Sequence, residues 1–140
     1  MKENRIKKPP KKVYGIIKTF DFEAYHNGNF KEKNHPDNIK HKHKFVAIIQ
    51  CKSSKLNSEN VVIDFRYIDK LVEEFSGKYL NELLKNKAVT CEFLANYILE
   101  YIPNCFLCEL VELNVEGETE GIIPGKQVNK AWASKELEDY

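Results

Sequence analysis

The sequence has little of what usually marks a secreted, membrane or nucleic-acid-binding chain. Its four cysteines, Cys51, Cys91, Cys105 and Cys108, in 140 residues are too few and too unevenly placed to make a small disulfide scaffold. Long apolar runs are missing: the longest, Phe45-Val46-Ala47-Ile48-Ile49, is far too short to span a bilayer. Nor is there an excess of one charge, because 22 Lys+Arg stand against 21 Asp+Glu, a formal net charge of +1. That balance supplies no strong field for anionic lipid or nucleic acid, so neither is expected as a partner. The basic residues at the N-terminus are not followed by an apolar stretch, and no secretory signal is expected. A Gly-rich phosphate loop, a nucleophile elbow, an internal repeat and a low-complexity tract are all lacking. These absences point to a soluble protein of the reducing cytoplasm, long enough for one domain with one modest core.

What is there is a sequence of changing periods. Residues 1–12 are basic, contain Pro9-Pro10 and show no period, so they read as a flexible arm. Residues 135–140 read as a polar tail, which leaves 13–134 as a single domain. Val13 to Phe22 is rich in aromatic and β-branched residues and reads as a strand. Asn27 to Lys40 reads as a long loop, the kind that in a compact domain is often functional. A second strand is expected from about His41 to Lys52, and a short one at Val61-Val62-Ile63. Phe65, Ile68, Leu71, Val72 and Phe75 then follow helical spacing, with Asp64 placed to cap the first turn. A second helix begins after Thr90 as N-cap, carries Leu94, Tyr97, Ile98, Tyr101 and Ile102 on one stripe, and stops at Pro103. Cys105 to Glu116 reads as a strand with Val111, Leu113 and Val115 on one face and Glu112, Asn114 and Glu116 on the other. One more edge strand is expected within Gly121 to Ser134. Two helices clustered between strand pairs indicate an α+β layer, with the helices covering one face of an antiparallel sheet.

Three of the four histidines fall where a metal site would need them. His41 and His43 are two apart and therefore point to the same face of a strand. His26 closes the preceding strand, and antiparallel pairing of the two strands brings all three imidazoles together. Three neutral nitrogens with one position left open is the pattern of a catalytic zinc site. Lys40, Lys42 and Lys44 are expected to face the other way.

The same residues carry a resemblance. Phe20-Asp21-Phe22-Glu23-Ala24-Tyr25-His26 resembles the "F-x-F-x-A-A-H" opening of the 6-pyruvoyltetrahydropterin synthase and 6-carboxytetrahydropterin synthase (QueD) family. His41-Lys42-His43-Lys44-Phe45 resembles its "H-G-H-x-Y" strand. Val61-Val62-Ile63-Asp64-Phe65 resembles "G-M-V-x-D-F", Tyr79-Leu80-Asn81 resembles "x-L-N", and Val89-Thr90-Cys91-Glu92 resembles "P-T-x-E-N". The match runs in the correct order from Tyr14 to Glu118. It implies a tunnelling fold (T-fold): a four-stranded antiparallel sheet backed by two helices, assembled into an oligomeric β-barrel, with a hexamer built as a dimer of trimers expected. It further implies a zinc ion on His26, His41 and His43 and a reduced pterin such as 7,8-dihydroneopterin triphosphate as substrate. Thr90 is implied to contact that substrate. A glutamate of the last core strand would grip the pterin ring. Family spacing points to Glu116, whereas Glu118-Thr119 reproduces the family's "E-T" dipeptide two residues on.

The departures from the pattern concern the acid–base groups. Where the family has its cysteine base, this chain has Asp37, and where it has an Asp-His pair, this chain has Ser76-Gly77. Asp37 can be read as the substitute base, assisted from the loop by His35 or Glu32, or as an ordinary turn residue after Pro36. If active, the protein would be a lyase working by elimination or side-chain cleavage. The alternative is a catalytically inactive relative that binds a pterin- or purine-like ligand or serves as an assembly partner. Cys105-x-x-Cys108 reads as two small core residues facing opposite sides of a strand, not as a redox or zinc motif. Trp132 reads as burying against a neighbouring subunit or as capping its own sheet.

Overall fold

Alternation in the first strand continues four residues beyond Phe22. In the computed structural model, which describes residues 11–115 and 128–136, β1 runs Tyr14–His26 and β2 runs His41–Ser53. They pair antiparallel along their whole length, from Tyr14 opposite Ser53 to His26 opposite His41. β3 (Cys105–Asn114) pairs antiparallel with β2, and β4 (Lys130–Ser134) with β3, giving the sheet order β1-β2-β3-β4. Every second residue faces one side, so Phe22, Ala24, Phe45, Ala47, Ile49 and Leu110 form the floor of the core.

Three helices lie between β2 and β3: α1 (Arg66–Phe75), the four-residue α2 (Leu80–Leu83) and α3 (Cys91–Tyr101). Ile68, Leu71 and Phe75 of α1 and Leu94, Ile98 and Leu99 of α3 bury into the same cluster as the strand residues. α1 packs on β1, and α3 packs across β3 and β4. The two helices read from periodicity are therefore present. The third is too short to display a period and was not foreseen. Asp64 accepts from the Arg66 N–H at 2.9 Å, but Phe65, not Asp64, is the residue that leads into α1. None of the helices among the described residues is long and apolar enough to cross a membrane.

Two expectations need correction. Val61-Val62-Ile63 forms no strand; Val62 and Ile63 are nevertheless buried in the core, and the Val62 carbonyl accepts from Asn104 Nδ2 at 3.0 Å instead of from a sheet partner. Cys105 and Cys108 do not face opposite sides. The β2–β3 register shifts between Gln50 and Cys51, so that Cys51 opposes Cys105 while Ile49 opposes Cys108. The extra residue in β3 restores both thiols to the core face, where all four cysteines are buried and free.

The end of α1 explains one departure in structural terms. Gly77 has φ +73° and follows Ser76, the C-terminal cap residue of α1. A glycine with this left-handed backbone is a common helix stop, and a side chain there would be strained. Its N–H donates to the Glu23 carbonyl of β1 at 2.7 Å, and the Ser76 hydroxyl donates to Val72 O. Ser76-Gly77 thus ends a helix and ties it to β1, and carries no proton-relay group.

Candidate metal centre

The site grows from the paired ends of β1 and β2. Because His26 is the register partner of His41, and His43 lies two residues further along β2, alternation sends all three rings to the core side. Their centroids stand 4.4 Å (His26–His41), 4.7 Å (His41–His43) and 5.1 Å (His26–His43) apart. Lys42 and Lys44 alternate to the opposite face, where Lys42 lies over the Tyr25 ring and Lys44 is 3.9 Å from Asp21.

Each ring is held by one nitrogen. Nδ1 of His26 bonds the Val89 carbonyl at 2.6 Å, Nδ1 of His41 the Ile39 carbonyl at 2.6 Å, and Nδ1 of His43 the Leu113 carbonyl at 3.1 Å. A carbonyl only accepts, so each Nδ1 carries the proton. In the neutral ring Nε2 then has its lone pair free, and the carbonyl on Nδ1 fixes the ring's orientation, which prepares an imidazole for a metal.

A fourth group, absent from the sequence expectation, completes the cluster. Glu112 of β3 is 7% exposed, and its Oε2 lies 3.2 Å from Nε2 of both His26 and His43. Together His26, His41, His43 and Glu112 offer four ligand atoms that all lie within 4.8 Å of one another, and the group could hold a metal ion. The donor set fits one. Nε2 of His26 is buried without a hydrogen-bond partner despite the nearby carboxylate oxygen, since two lone pairs facing each other form no bond. A cation between them turns that repulsion into attraction. The sequence did hold a signal for Glu112: it follows Cys108 and Leu110 at strand spacing, so it is an acid on an apolar face beside the His-x-His strand.

Burial pushes the His43 pKa below its ordinary 6.5, the Glu112 charge opposing only in part. Burial alone would raise the Glu112 carboxyl; the neighbouring His26 and His43 imidazoles bring it below the usual range. Cys91, at the start of α3, donates to Leu110 O at 3.4 Å, and burial together with the Glu112 charge pushes its thiol up, so it stays protonated beside the carboxylate. A pH dependence follows. The unfolded chain takes up a proton at His43 near pH 6.5, the folded chain only at lower pH. Stability of the chelator-treated protein is therefore full above about pH 7 and declines as pH falls through 6.5 toward the folded pKa. Thermal unfolding at about pH 7.5 and pH 5.5 should show a lower Tm at the acid value, and His43→Gln should flatten the difference; equal Tm values in the unmutated protein would contradict it.

The loop between β1 and β2 is ordered by side-chain amides. Asn81 accepts from Asn27 N–H at 2.9 Å and donates to the carbonyls of Asn27 and Lys87 at 2.9 and 3.0 Å. Asn38 accepts from Phe30 N–H at 2.7 Å and donates to the carbonyls of Phe30 and Glu32. Asp37 lies exposed in the 3-10 turn Pro36–Asn38 and is outside the four-residue group. His35 stacks on Phe30 at 3.8 Å and accepts from the Asp37 N–H. Thr90 caps α3, its Oγ1 accepting from Phe93 N–H at 3.1 Å, a contact worth about 1 kcal/mol to the helix. Glu116 and Glu118 lie outside the described residues, as do most of the expected arm and tail.

Comparison with known proteins agrees with this geometry. The family model for 6-pyruvoyl tetrahydropterin synthase matches residues 15–123. Among solved structures, Caenorhabditis elegans 6-pyruvoyl tetrahydropterin synthase is similar with a TM-score of 0.58 at 13% identity, covering 89% of this chain and 97% of that one. An uncharacterized protein from Wolinella succinogenes gives 0.56 at 16% identity, covering 89% and 99%. Plasmodium vivax 6-pyruvoyltetrahydropterin synthase gives 0.52 at 11% identity, again covering 89% and 99%. Among curated protein sequences none matches. At these identities the structures speak for the fold, and the family model speaks for descent. With a four-stranded antiparallel sheet, helices on its core face and histidines gathered at the β1–β2 end, the chain belongs to the 6-pyruvoyl tetrahydropterin synthase family.

Proposed function

We propose that this protein holds a zinc ion on His26, His41 and His43 and acts on a reduced pterin of the 7,8-dihydroneopterin triphosphate type, by elimination or side-chain cleavage. The observation that carries the reading is the convergence of three Nε2 lone pairs, each fixed by an Nδ1–carbonyl bond. Zinc in such a set supplies Lewis-acid polarisation of a hydroxyl or carbonyl oxygen. The chain's own residues would bind and move protons around it. Asp37, an exposed residue of the Pro36–Asn38 turn, is the proposed proton acceptor. A catalytic carboxylate is not foreign to the fold, since the Plasmodium vivax synthase has been solved with a catalytic glutamate replaced by cysteine and by alanine. Glu116, or Glu118, would accept the paired N–H groups of the pterin ring. Thr90 keeps its hydroxyl proton for a ligand while its oxygen caps α3.

A second reading is favoured by Ser76-Gly77, whose hydroxyl and backbone are committed to ending α1: a relative that binds a pterin- or purine-like ligand, or supports an assembly, without turnover. Incubating the zinc-loaded protein with 7,8-dihydroneopterin triphosphate and following pterin products separates the two. Product formation supports the enzyme; saturable binding without product overturns it and leaves the second reading; absence of binding overturns the enzyme and pterin binding alike and leaves the purine-like ligand and the assembly role.

Assembly as a homo-oligomer, a dimer of trimers whose sheets close a barrel, accords with the face of the sheet away from the helices. Val46, Ile48 and Val111 are only half-buried there, and Ile17 and Trp132 are 63% and 67% exposed. Light scattering on the purified protein tests it, a monomer being the contrary result. Four free, buried thiols suit a cytoplasmic location.

A further inference from the structure

We infer that Glu112 is a fourth protein ligand that closes the metal's coordination sphere at rest, so that an incoming oxygen or anion reaches the metal only by displacing this carboxylate. The inference rests on the metal reading proposed above and concerns what the chain itself does at the site. Register makes the placement firm. Glu112 is the partner of Phe45, two residues from His43 on the same face of β2, so backbone pairing alone sets the carboxylate beside the imidazoles. A buried carboxylate requires a partner. The ion-pair contacts of Glu112 are the two Nε2 atoms at 3.2 Å. Donors each about 2.1 Å from a tetrahedral zinc stand about 3.4 Å apart, and both 3.2 Å separations match that edge. Glu112 therefore occupies a ligand position. Four protein donors make a closed site and three make an open one, and it is the open kind that admits substrate. Metal access in this chain is thus gated by the Glu112 side chain. The carboxylate also adds a negative charge and a hard oxygen to three imidazoles, which strengthens the hold on a divalent cation.

Cobalt(II) is the probe, because its visible bands report coordination without turnover. The chelator-stripped full-length protein, Glu112→Gln and His41→Ala are titrated with cobalt(II), and each loaded form is then titrated with azide. The unmutated protein should bind one cobalt with bands that azide leaves unchanged. Glu112→Gln should bind one cobalt more weakly by about 100-fold, at the upper end of what losing even a hydrogen-bond partner of a ligand costs, with bands that shift on adding azide. If circular dichroism shows that Glu112→Gln fails to fold, Glu112→Asp, which keeps the charge but falls short of the ion, should show the same azide response. Azide shifting the bands of the unmutated protein at the concentration that shifts the variant overturns the inference. So does an unchanged cobalt affinity in Glu112→Gln. In both cases loss of binding in His41→Ala preserves the three-histidine reading. If the unmutated protein takes up no cobalt, the metal reading falls and this inference with it.

Discussion

His26→Ala should lower metal affinity by about 1,000-fold or more and destabilise the metal-free protein by about 2–3 kcal/mol. The two losses have different origins. His26 is 4% exposed, and its ring packs 4.4 Å from His41 and 5.1 Å from both His43 and Phe45. Removing it takes away a donor and opens a cavity at the point where the rings meet. It also strands the Val89 carbonyl, which lies in a fully buried residue and accepts from Nδ1 across 63 positions of sequence. An unsatisfied buried acceptor costs about 1–3 kcal/mol. One term opposes: the unpartnered Nε2 beside Glu112 disappears as well, so the stability loss stays below that of a large core truncation. Zinc titration by calorimetry and urea unfolding with chelator present measure the two effects. Zinc affinity within tenfold of the unmutated protein would sink the assignment of His26 as a ligand.

Asn81→Ala should reverse the ranking, with stability falling by about 3–5 kcal/mol and metal affinity falling by only about 10-fold. Asn81 touches none of the candidate ligands. Its amide accepts from Asn27 N–H and donates to the Asn27 and Lys87 carbonyls, clamping the residue next to His26 against the chain between α2 and α3. Tyr79 adds a hydrogen bond from its hydroxyl to the Asn27 side chain, and Val89 N–H donates to the same Asn27 carbonyl at 3.0 Å. Truncation leaves the Asn27 N–H and the Lys87 carbonyl without this partner, while the Asn27 carbonyl keeps only Val89 N–H. His26 then loses positional support but keeps its nitrogen. Urea midpoints together with zinc titration check the pair of values. A stability loss under about 1 kcal/mol would show that solvent fills the place of the amide.

The contrast between these positions shows what could be read without coordinates. Histidines two apart on a strand, preceded by a histidine at the end of another strand, are a local pattern, and strand alternation converts it directly into proximity. The helices announced themselves likewise: Thr90 and Pro103 bracket α3, and the apolar spacing of Ile68, Leu71 and Phe75 marks α1. Asn81 closes the Tyr79-Leu80-Asn81 motif, yet its clamp joins residues 54 positions apart and has no local signature. The strand spacing puts Glu112 on β3 and groups it with Asn114 and Glu116 as a polar face. Alternation states which residues share a face and is silent on which face is covered.

From order and spacing alone came the α+β class, the antiparallel β1–β2 pair, both longer helices, the family and the gathering of three histidines. All of these depend on interactions within one strand, one helix or one pair of neighbours. The tertiary structure alone decided that Glu112 turns inward toward the imidazoles, that the register shift at Gln50/Cys51 puts both Cys105 and Cys108 in the core, and that Gly77 takes a left-handed turn to end α1. The inward turn of Glu112 follows from how the helices cover one side of the sheet. Covering sets which face is dry, and in a dry environment a carboxylate must find a cation or a proton.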